Sequence, residues 1–320
     1  MKYGIGIEIG ATKQQIAVGS EDGVLRRVIT GEVDTSLGAR EILRWLDVHI
    51  PEAIKELSKL HEKPYGIGVG FGGVVEFESG RILMSVQVRE WENILLKNLL
   101  EEKYSVPAFI ENDTVLGGVG EFLLGAGKGM SDFFYTNIGS GIGGAIFTDG
   151  KCLTGQKCGA AYFGQTRIPS WEKAGESMTV ENICSGFAIE KRLREPDYIP
   201  EDSLLKILPG EINCRKLAQA AKEGDCFAAK EIERVGNSLG IGLSNIISLF
   251  HPQRIAIGGG VSHIGEPLFE AIRKSCFANV FAPLSKGTDI VPCRFVQEAV
   301  LIGAVLLSCG KWRAEKSMIN

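Results

Sequence analysis

The apolar and polar positions at the start of the chain alternate as they do in short strands. Tyr3–Glu8 is rich in β-branched and aromatic residues, Gly10-Ala11 breaks the run, and Lys13–Val18 resumes it. Asp22-Gly23 marks a hairpin, and Val24–Ile29 returns. The period then lengthens. Ile42, Leu46, Ile50, Ala53, Leu57 and Leu60 recur at helical spacing, which predicts a helix from about Leu37 to Leu60 with Pro51 as a kink or junction. Tyr65–Gly70 reads as a strand ended by Gly72-Gly73. A helix over Asn93–Glu102 and a short buried strand over Ala108–Glu111 follow.

The opening pattern then recurs. Asp132–Ile138 is strand-like, Gly139–Gly144 is a glycine-rich turn, Ala145–Thr148 is a strand and Asp149-Gly150 a second hairpin signal. IEIGATKQQIAVGSEDG and NIGSGIGGAIFTDG share one plan: strand, glycine turn, strand, acidic-Gly turn. Such a repeat is expected of a duplicated ribonuclease-H-like meander. Helices predominate afterwards: Val180–Leu193, Lys216–Lys222 and Phe227–Phe250, the last with Asp225 as its N-cap. A strand over Arg254–Ile257 leads into Gly258-Gly259-Gly260, then a helix over Pro267–Cys276 and a small apolar helix over Ala299–Leu307.

Composition narrows the function classes. At 320 residues the chain is too long for one small core and suits two packed lobes. A net charge of −4 with both signs scattered gives no basic block for nucleic acid and no polybasic stretch for a membrane surface. No segment approaches the ~18 apolar residues of a spanning helix. The N-terminus carries no apolar run of signal-peptide length, and the 8 cysteines form no C-x-x-C pair. Reduced thiols in a cytoplasmic protein are the expectation. Glycine is the outlier, with 41 residues clustered at the ends of strand-like segments, where backbone must approach something closely.

Four motifs offer chemistry, each with a plain alternative. Ile138–Gly144 looks like a dinucleotide fingerprint, but the next segment is strand rather than helix. Gly139, Ser140 and Gly141 can instead present bare N–H groups to phosphate oxygens, or form a tight turn with no ligand. Glu8, Gly10 and Thr12 sit at the matching turn of the first meander, where a carboxylate and a hydroxyl can hold hydrated Mg²⁺ and a phosphate. An ordinary β-turn is the alternative. Asp113 ends a strand and opens a helical segment, Thr114–Leu124. An ionised Asp there can take a proton from an attacking hydroxyl, with Asn112 beside it as donor and acceptor. It can equally be a helix N-cap. Gly258, Gly259 and Gly260 would let a flat ring lie against backbone, or form a loop.

In this order the motifs resemble the ROK (repressor, open reading frame, kinase) family, which includes bacterial glucokinases. The resemblance rests on Glu8–Thr12, GVGFGG at Gly68–Gly73, ENDTVLGGVGE at Glu111–Glu121, IGSGIGG at Ile138–Gly144, ENICSGFAI at Glu181–Ile189, and above all LGIGLSNIISLFHPQRIAIGGGVS at Leu239–Ser262. It implies an α/β fold of two actin/hexokinase-like (ribonuclease H-like) ATPase lobes. The small lobe would span 1–112 with the C-terminal helix of about 299–320 packing back on it, and the larger lobe 113–298. It implies an ATP-dependent sugar kinase using Mg²⁺, with Asp113 as general base and a homodimeric assembly. Gly73, Asn112, Tyr162, Gln165 and Glu181 would meet the sugar. Glu8 (through water to Mg²⁺), Gly10, Thr12, Gly139–Gly141 and Gly258–Gly260 would meet the nucleotide.

Departures from the family accompany these matches. Glu8 stands where the family usually has Asp. The family's GExGH segment reads Ala161-Tyr162-Phe163-Gly164-Gln165, so Tyr162 replaces a sugar-binding Glu and Gln165 a His that ligates zinc in many members. Gln165 to Glu181 contains no Cys, so no structural zinc is expected. These losses motivate an alternative reading, a catalytically weak sugar- or nucleotide-binding regulatory protein. No helix-turn-helix module precedes Tyr3, which weighs against a DNA-binding repressor.

Overall fold

In the computed structural model, β1 (Tyr3–Ile9), β2 (Lys13–Ser20) and β3 (Leu25–Glu32) form an antiparallel meander. The structure describes residues 1–85, 88–92, 94–157, 159–171, 175–295 and 297–312. The predicted long helix is α1 (Gly38–Lys59), continuous through Pro51, and its apolar stripe of Ile42, Leu46, Ile50, Ala53 and Leu57 is buried. Then come β4 (Ile67–Phe71), the hairpin β5 (Val74–Glu76) and β6 (Arg81–Met84), α2 (Leu96–Tyr104), β7 (Ala108–Asn112) and α3 (Asp113–Leu124). The expected start of α2 at Asn93 lies outside the described residues. The sheet runs β3-β2-β1-β4-β7, with β4 and β7 parallel to β1.

The second half builds the same sheet. β8 (Phe133–Ile138), β9 (Ile142–Thr148) and β10 (Lys151–Cys152) form its meander. β11 (Arg167–Pro169) and β12 (Ser177–Thr179) make a separate ribbon. Next come α4 (Val180–Cys184), α5 (Gly186–Leu193), α6 (Leu204–Ile207), α7 (Cys214–Lys222), α8 (Cys226–Phe250), β13 (Arg254–Gly258), α9 (Glu266–Asn279), β14 (Asp289–Pro292) and α10 (Ala299–Ser308). The order β10-β9-β8-β13-β14 repeats the third-second-first-fourth-fifth arrangement of the first sheet. The repeat read from two short motifs is thus a repeat of whole sheets.

Two local expectations change. The single helix expected over Val180–Leu193 is two, because Ser185 adopts an extended backbone and its hydroxyl caps α5 at the Ala188 N–H. The glycine turn is shorter than six residues: β9 begins at Ile142, so Gly143 and Gly144 are strand residues. A methyl group added at Gly144 would lie 2.6 Å from the Ala161 carbonyl oxygen, so that glycine serves packing.

Residues 1–129, 151–160 and 297–320 form one unit, and 130–150 with 161–296 the other. The boundary therefore falls after α3, not after residue 112. α3 stays with the first unit because it packs along α10, which also lies across β1 and β4. α10 is apolar on every side and wholly buried, as its position demands. Glycines make room for it. A methyl at Gly6 would come within 2.9 Å of the Leu301 carbonyl oxygen, and one at Gly120 within 2.7 Å of that of Ala299. Part of the glycine excess is this close approach of α10 to the sheet and to α3. The opposite face of the first sheet packs Ile5, Ile7 and Ile9 against the stripe of α1. In the second unit, α8 packs along α9, and Leu239, Leu243 and Ile247 join Phe134, Ile255 and Ile257 in one core. Among the described residues no helix is long and apolar enough to cross a membrane.

Candidate active site

The pleat of β1 aims Glu8. Ile5, Ile7 and Ile9 face the α1 core, so the alternate positions Gly4, Gly6 and Glu8 face α10 and α3. Glu8 stands at the carboxyl end of the strand, opposite Gly70 of β4. A methyl at Gly70 would come 2.7 Å from Val300 Cγ1 of α10 but only into ordinary contact, 3.4 Å, with the Cα of Asp113, so that glycine chiefly admits α10 while the first turn of α3 lies beside the strand end.

Asn112, not Asp113, caps α3. Its Oδ1 accepts from the N–H groups of Thr114 (3.0 Å) and Val115 (3.1 Å), and its Nδ2 donates to the Gly73 carbonyl at 3.0 Å. That leaves Asn112 one N–H for any ligand. Asp113, freed from capping by its neighbour, is the first helical residue. Its Oδ1 accepts from the Thr114 N–H at 2.6 Å and from the Thr114 hydroxyl at 3.3 Å. Its Oδ2 faces Gly72, 3.4 Å from where a methyl there would lie. Desolvation pushes Asp113 up to about 6, against the lowering effect of the Thr114 bonds.

Glu8 is pushed up to about 7, first by desolvation; Lys13 opposes the shift and Asp113 adds to it. Lys13 Nζ lies 3.7 Å from Glu8 Oε2, yet that buried oxygen has no hydrogen-bond partner. The turn between β1 and β2 closes with Gly10 N–H donating to the Lys13 carbonyl at 3.0 Å, while the Thr12 side chain is exposed. Lys13 and Glu111 are functional candidates that the motifs did not single out. Lys13 carried a usable signal, since a basic residue just past the turn lies across the hairpin from the carboxylate of β1.

The second unit holds the other predicted residues. The turn Gly139-Ser140-Gly141 is closed by Gly139 N–H donating to the Gly141 carbonyl at 2.9 Å. It is pinned from outside at two points. Glu181 Oε2 accepts from the Ile142 N–H at 2.7 Å, and the Gly139 carbonyl accepts from the Gly186 N–H at 2.8 Å, at the break between α4 and α5. The other Glu181 oxygen accepts from Gln165 Nε2 at 3.1 Å. The three glycines after β13 divide their roles. Gly258 pairs with Asn137 in the sheet, and Gly259 has φ +84° and leaves no room for a methyl, which would collide with the Asn137 Oδ1 and the Ile138 carbonyl oxygen. Gly260 has open space where a side chain would be. Tyr162 is 39% exposed, and Ala161 before it holds φ +60°.

The structure therefore gathers Glu8, Gly10, Thr12, Gly73, Asn112 and Asp113 in one unit, and Gly139–Gly141, Tyr162, Gln165, Glu181 and Gly258–Gly260 in the other. Among the described residues, no three His, Cys, Asp or Glu side chains converge as they would around a metal ion. Cysteines 152, 184, 214, 226, 276, 293 and 309 are free thiols; Cys158 lies outside the described residues.

Comparison with known proteins extends this picture. The model of the ROK family matches residues 4–310. A glucokinase of Thermotoga maritima is 30% identical over 306 residues, 94% of this chain and 95% of that protein. A xylose repressor of Caldicellulosiruptor bescii is 27% identical over 95% of this chain and 77% of its own length. The crystal structure of a ROK family glucokinase from Streptomyces griseus, in complex with glucose and AMPPNP, matches with a TM-score of 0.81 at 26% identity, covering 95% of this chain and 98% of that one. The fold is the two-lobe α/β ATPase fold of actin and hexokinase.

Proposed function

The chain belongs to the ROK family, and we propose that within it the protein is an ATP-dependent sugar kinase in which Asp113 is the general base. The observation that carries this reading is the state of Asp113: relieved of capping by Asn112, fixed through one oxygen and shifted to about 6. A carboxylate with that value is ionised at neutral pH, yet basic enough to accept a proton from a hydroxyl as it attacks phosphorus. The first-turn position favours the ionised form through the helix dipole. Thr114 holds the Oδ1 lone pairs, so Oδ2 is the oxygen that takes the proton.

The Gly139 N–H is taken up in closing the turn, which leaves the N–H groups of Ser140 and Gly141 for phosphate oxygens, and the open space at Gly260 suits the flat face of a nucleoside. Glu8 fits the metal that this chemistry requires. Among the described residues its buried Oε2 accepts no hydrogen bond and has only the Lys13 ammonium at 3.7 Å, and Mg²⁺ in kinases is held through one or two carboxylates, waters and phosphates. Bound there, Mg²⁺ would neutralise phosphate charge. The kinship with the Thermotoga maritima and Streptomyces griseus glucokinases supports a hexose or a related sugar as acceptor.

A second reading, a weakly catalytic regulatory binder, is favoured by one observation. Glu181, expected to meet sugar, has both oxygens engaged by Ile142 and Gln165, and the xylose repressor kinship supports it. An ADP-release screen over a panel of hexoses and pentoses, run on wild type and Asp113→Asn, separates the two. Turnover on one sugar that collapses in the variant is the expected result. ATP binding without turnover on any sugar would leave the regulatory reading.

A further inference from the structure

A cavity lies within the first unit, where the β5–β6 hairpin, the β7–α3 junction and residues 152–157 and 159–160 meet. Its volume is about 170 Å³, below the ~300–1,000 Å³ of pockets that take drug-sized ligands. It suits a fragment, not a nucleotide. Val75, Phe77 and Val115 give it apolar walls, and Glu76, Glu78 and Glu111 bring three carboxyl groups to it.

Glu111 is the unusual member. It is 7% exposed, and among the described residues its one hydrogen bond is Oε1 accepting from the Asn112 N–H at 2.8 Å. The second oxygen is left without a protein donor at the cavity. A carboxyl buried to this degree is costly to keep charged without a counter-charge, and burial pushes Glu111 up to about 7. The neighbouring Cys152 thiol is pushed up to about 12 by burial and by Glu111, so it brings no competing charge. Glu76 is fixed by the Ser79 hydroxyl at 2.6 Å. Against these carboxyls Lys157 is the basic residue in the lining. Among the described residues these carboxyls are not grouped as metal ligands, and the walls are apolar. We propose that this cavity binds a small organic cation, a primary ammonium on a short apolar body, with the ammonium on Glu111 and the body against Val75, Phe77 and Val115.

The chemistry differs from that of the kinase reading, so it can be tested without ATP or sugar. n-Butylammonium and n-butanol share size and differ in charge. Titrating each into the full-length protein, followed by saturation-transfer NMR, should show the ammonium binding at least tenfold more tightly. Glu111→Gln should abolish that preference. Thr154→Trp, which fills the cavity from a surface segment, should abolish binding of both probes. Equal binding of the two probes to wild type, no binding of either, or ammonium binding unchanged in both variants would overturn the proposal.

Discussion

The turn between β1 and β2 and the turn between β8 and β9 occupy the same place in two sheets of the same order. Glu8-Ile9-Gly10 corresponds to Asn137-Ile138-Gly139, and Glu8 pairs across to Gly70 as Asn137 pairs to Gly258. What surrounds the two turns is opposite in kind. The first has two carboxyls with raised pKa, Glu8 and Asp113, and a lysine. The second has an amide, bare glycines and a carboxylate already spent on holding backbone. One scaffold was used twice, once to store negative charge and once to present donors. The phosphoryl transfer proposed for this chain would draw on both, because that reaction removes a proton from the acceptor and stabilises charge on phosphate.

The largest effect that can test this division is at Asp113. Asp113→Asn keeps the size and can still accept from Thr114, but it cannot take a proton. Loss of general-base catalysis lowers kcat by about 10²–10⁴-fold, measured by coupled ADP release on the best acceptor sugar. A variant with kcat within threefold of wild type would remove Asp113 from the chemistry. The donor side should respond in a different parameter. Glu181→Ala leaves the Ile142 N–H without its 2.7 Å partner. An unsatisfied group of that kind costs about 1–3 kcal/mol, so the KM for ATP should rise about tenfold. Glu181→Gln, which keeps an acceptor, should restore most of that loss. If Glu181→Ala raised the KM for sugar alone, Glu181 would be a sugar contact, as the family resemblance implies, and not a brace for the turn.

The scaffold was legible because its signals are local. Alternating apolar residues, Asp-Gly turns and a helical stripe marked every strand of the first sheet and those of the second apart from β10 and β14. Asp149 and Gly150 do take the positive φ that the hairpin signal implies. Less legible was anything decided by packing between distant segments. Glycines that admit α10 cannot be told from glycines that admit phosphate until the helix is in place. The capping role belonged to Asn112 rather than Asp113, and only the direction of each side chain decides that. Glu111 reads as the end of an apolar strand, and nothing in the local pattern says that a cavity meets it.

A pH profile separates the two carboxyls of the first turn. Asp113 acts ionised, so kcat/KM should rise with pH through about 6. Glu8 titrates at about 7 and must also be ionised to hold a hydrated cation, so wild type should show two ionisations on its acid limb. Glu8→Gln should leave one, near 6, at lower overall activity. Stability has the opposite sign. Glu8, Asp113 and Glu111 all have raised folded-state values. The stability they contribute is full below the ordinary carboxylate range near 4 and is lost as pH rises through 6 to 7. The protein should therefore unfold at lower temperature at pH 8 than at pH 5.5, and Glu111→Gln should flatten that slope. A profile in which activity and stability rise together would contradict both assignments.

The smallest effect concerns the segment before Tyr162. Ala161 holds φ +60°, a left-handed conformation that costs an alanine roughly 1–2 kcal/mol. Its carbonyl oxygen is packed against Gly144, so the backbone there is held by its neighbours and cannot relax. Nothing equivalent occurs at the first turn, where Gly10, Ala11 and Thr12 all keep φ out of that region. Ala161→Gly removes the strain and adds unfolded-state entropy of about 0.4–1 kcal/mol. The net gain should lie between about 0 and about 1.6 kcal/mol, visible as a small rise in the unfolding midpoint by calorimetry. If strain at Ala161 is what sets the direction of Tyr162, the same variant should raise the KM for the acceptor sugar while leaving that for ATP unchanged. A more stable variant with both constants intact would make Ala161 a cost without a function. A less stable one would mean that the alanine methyl contributes packing worth more than the strain it carries.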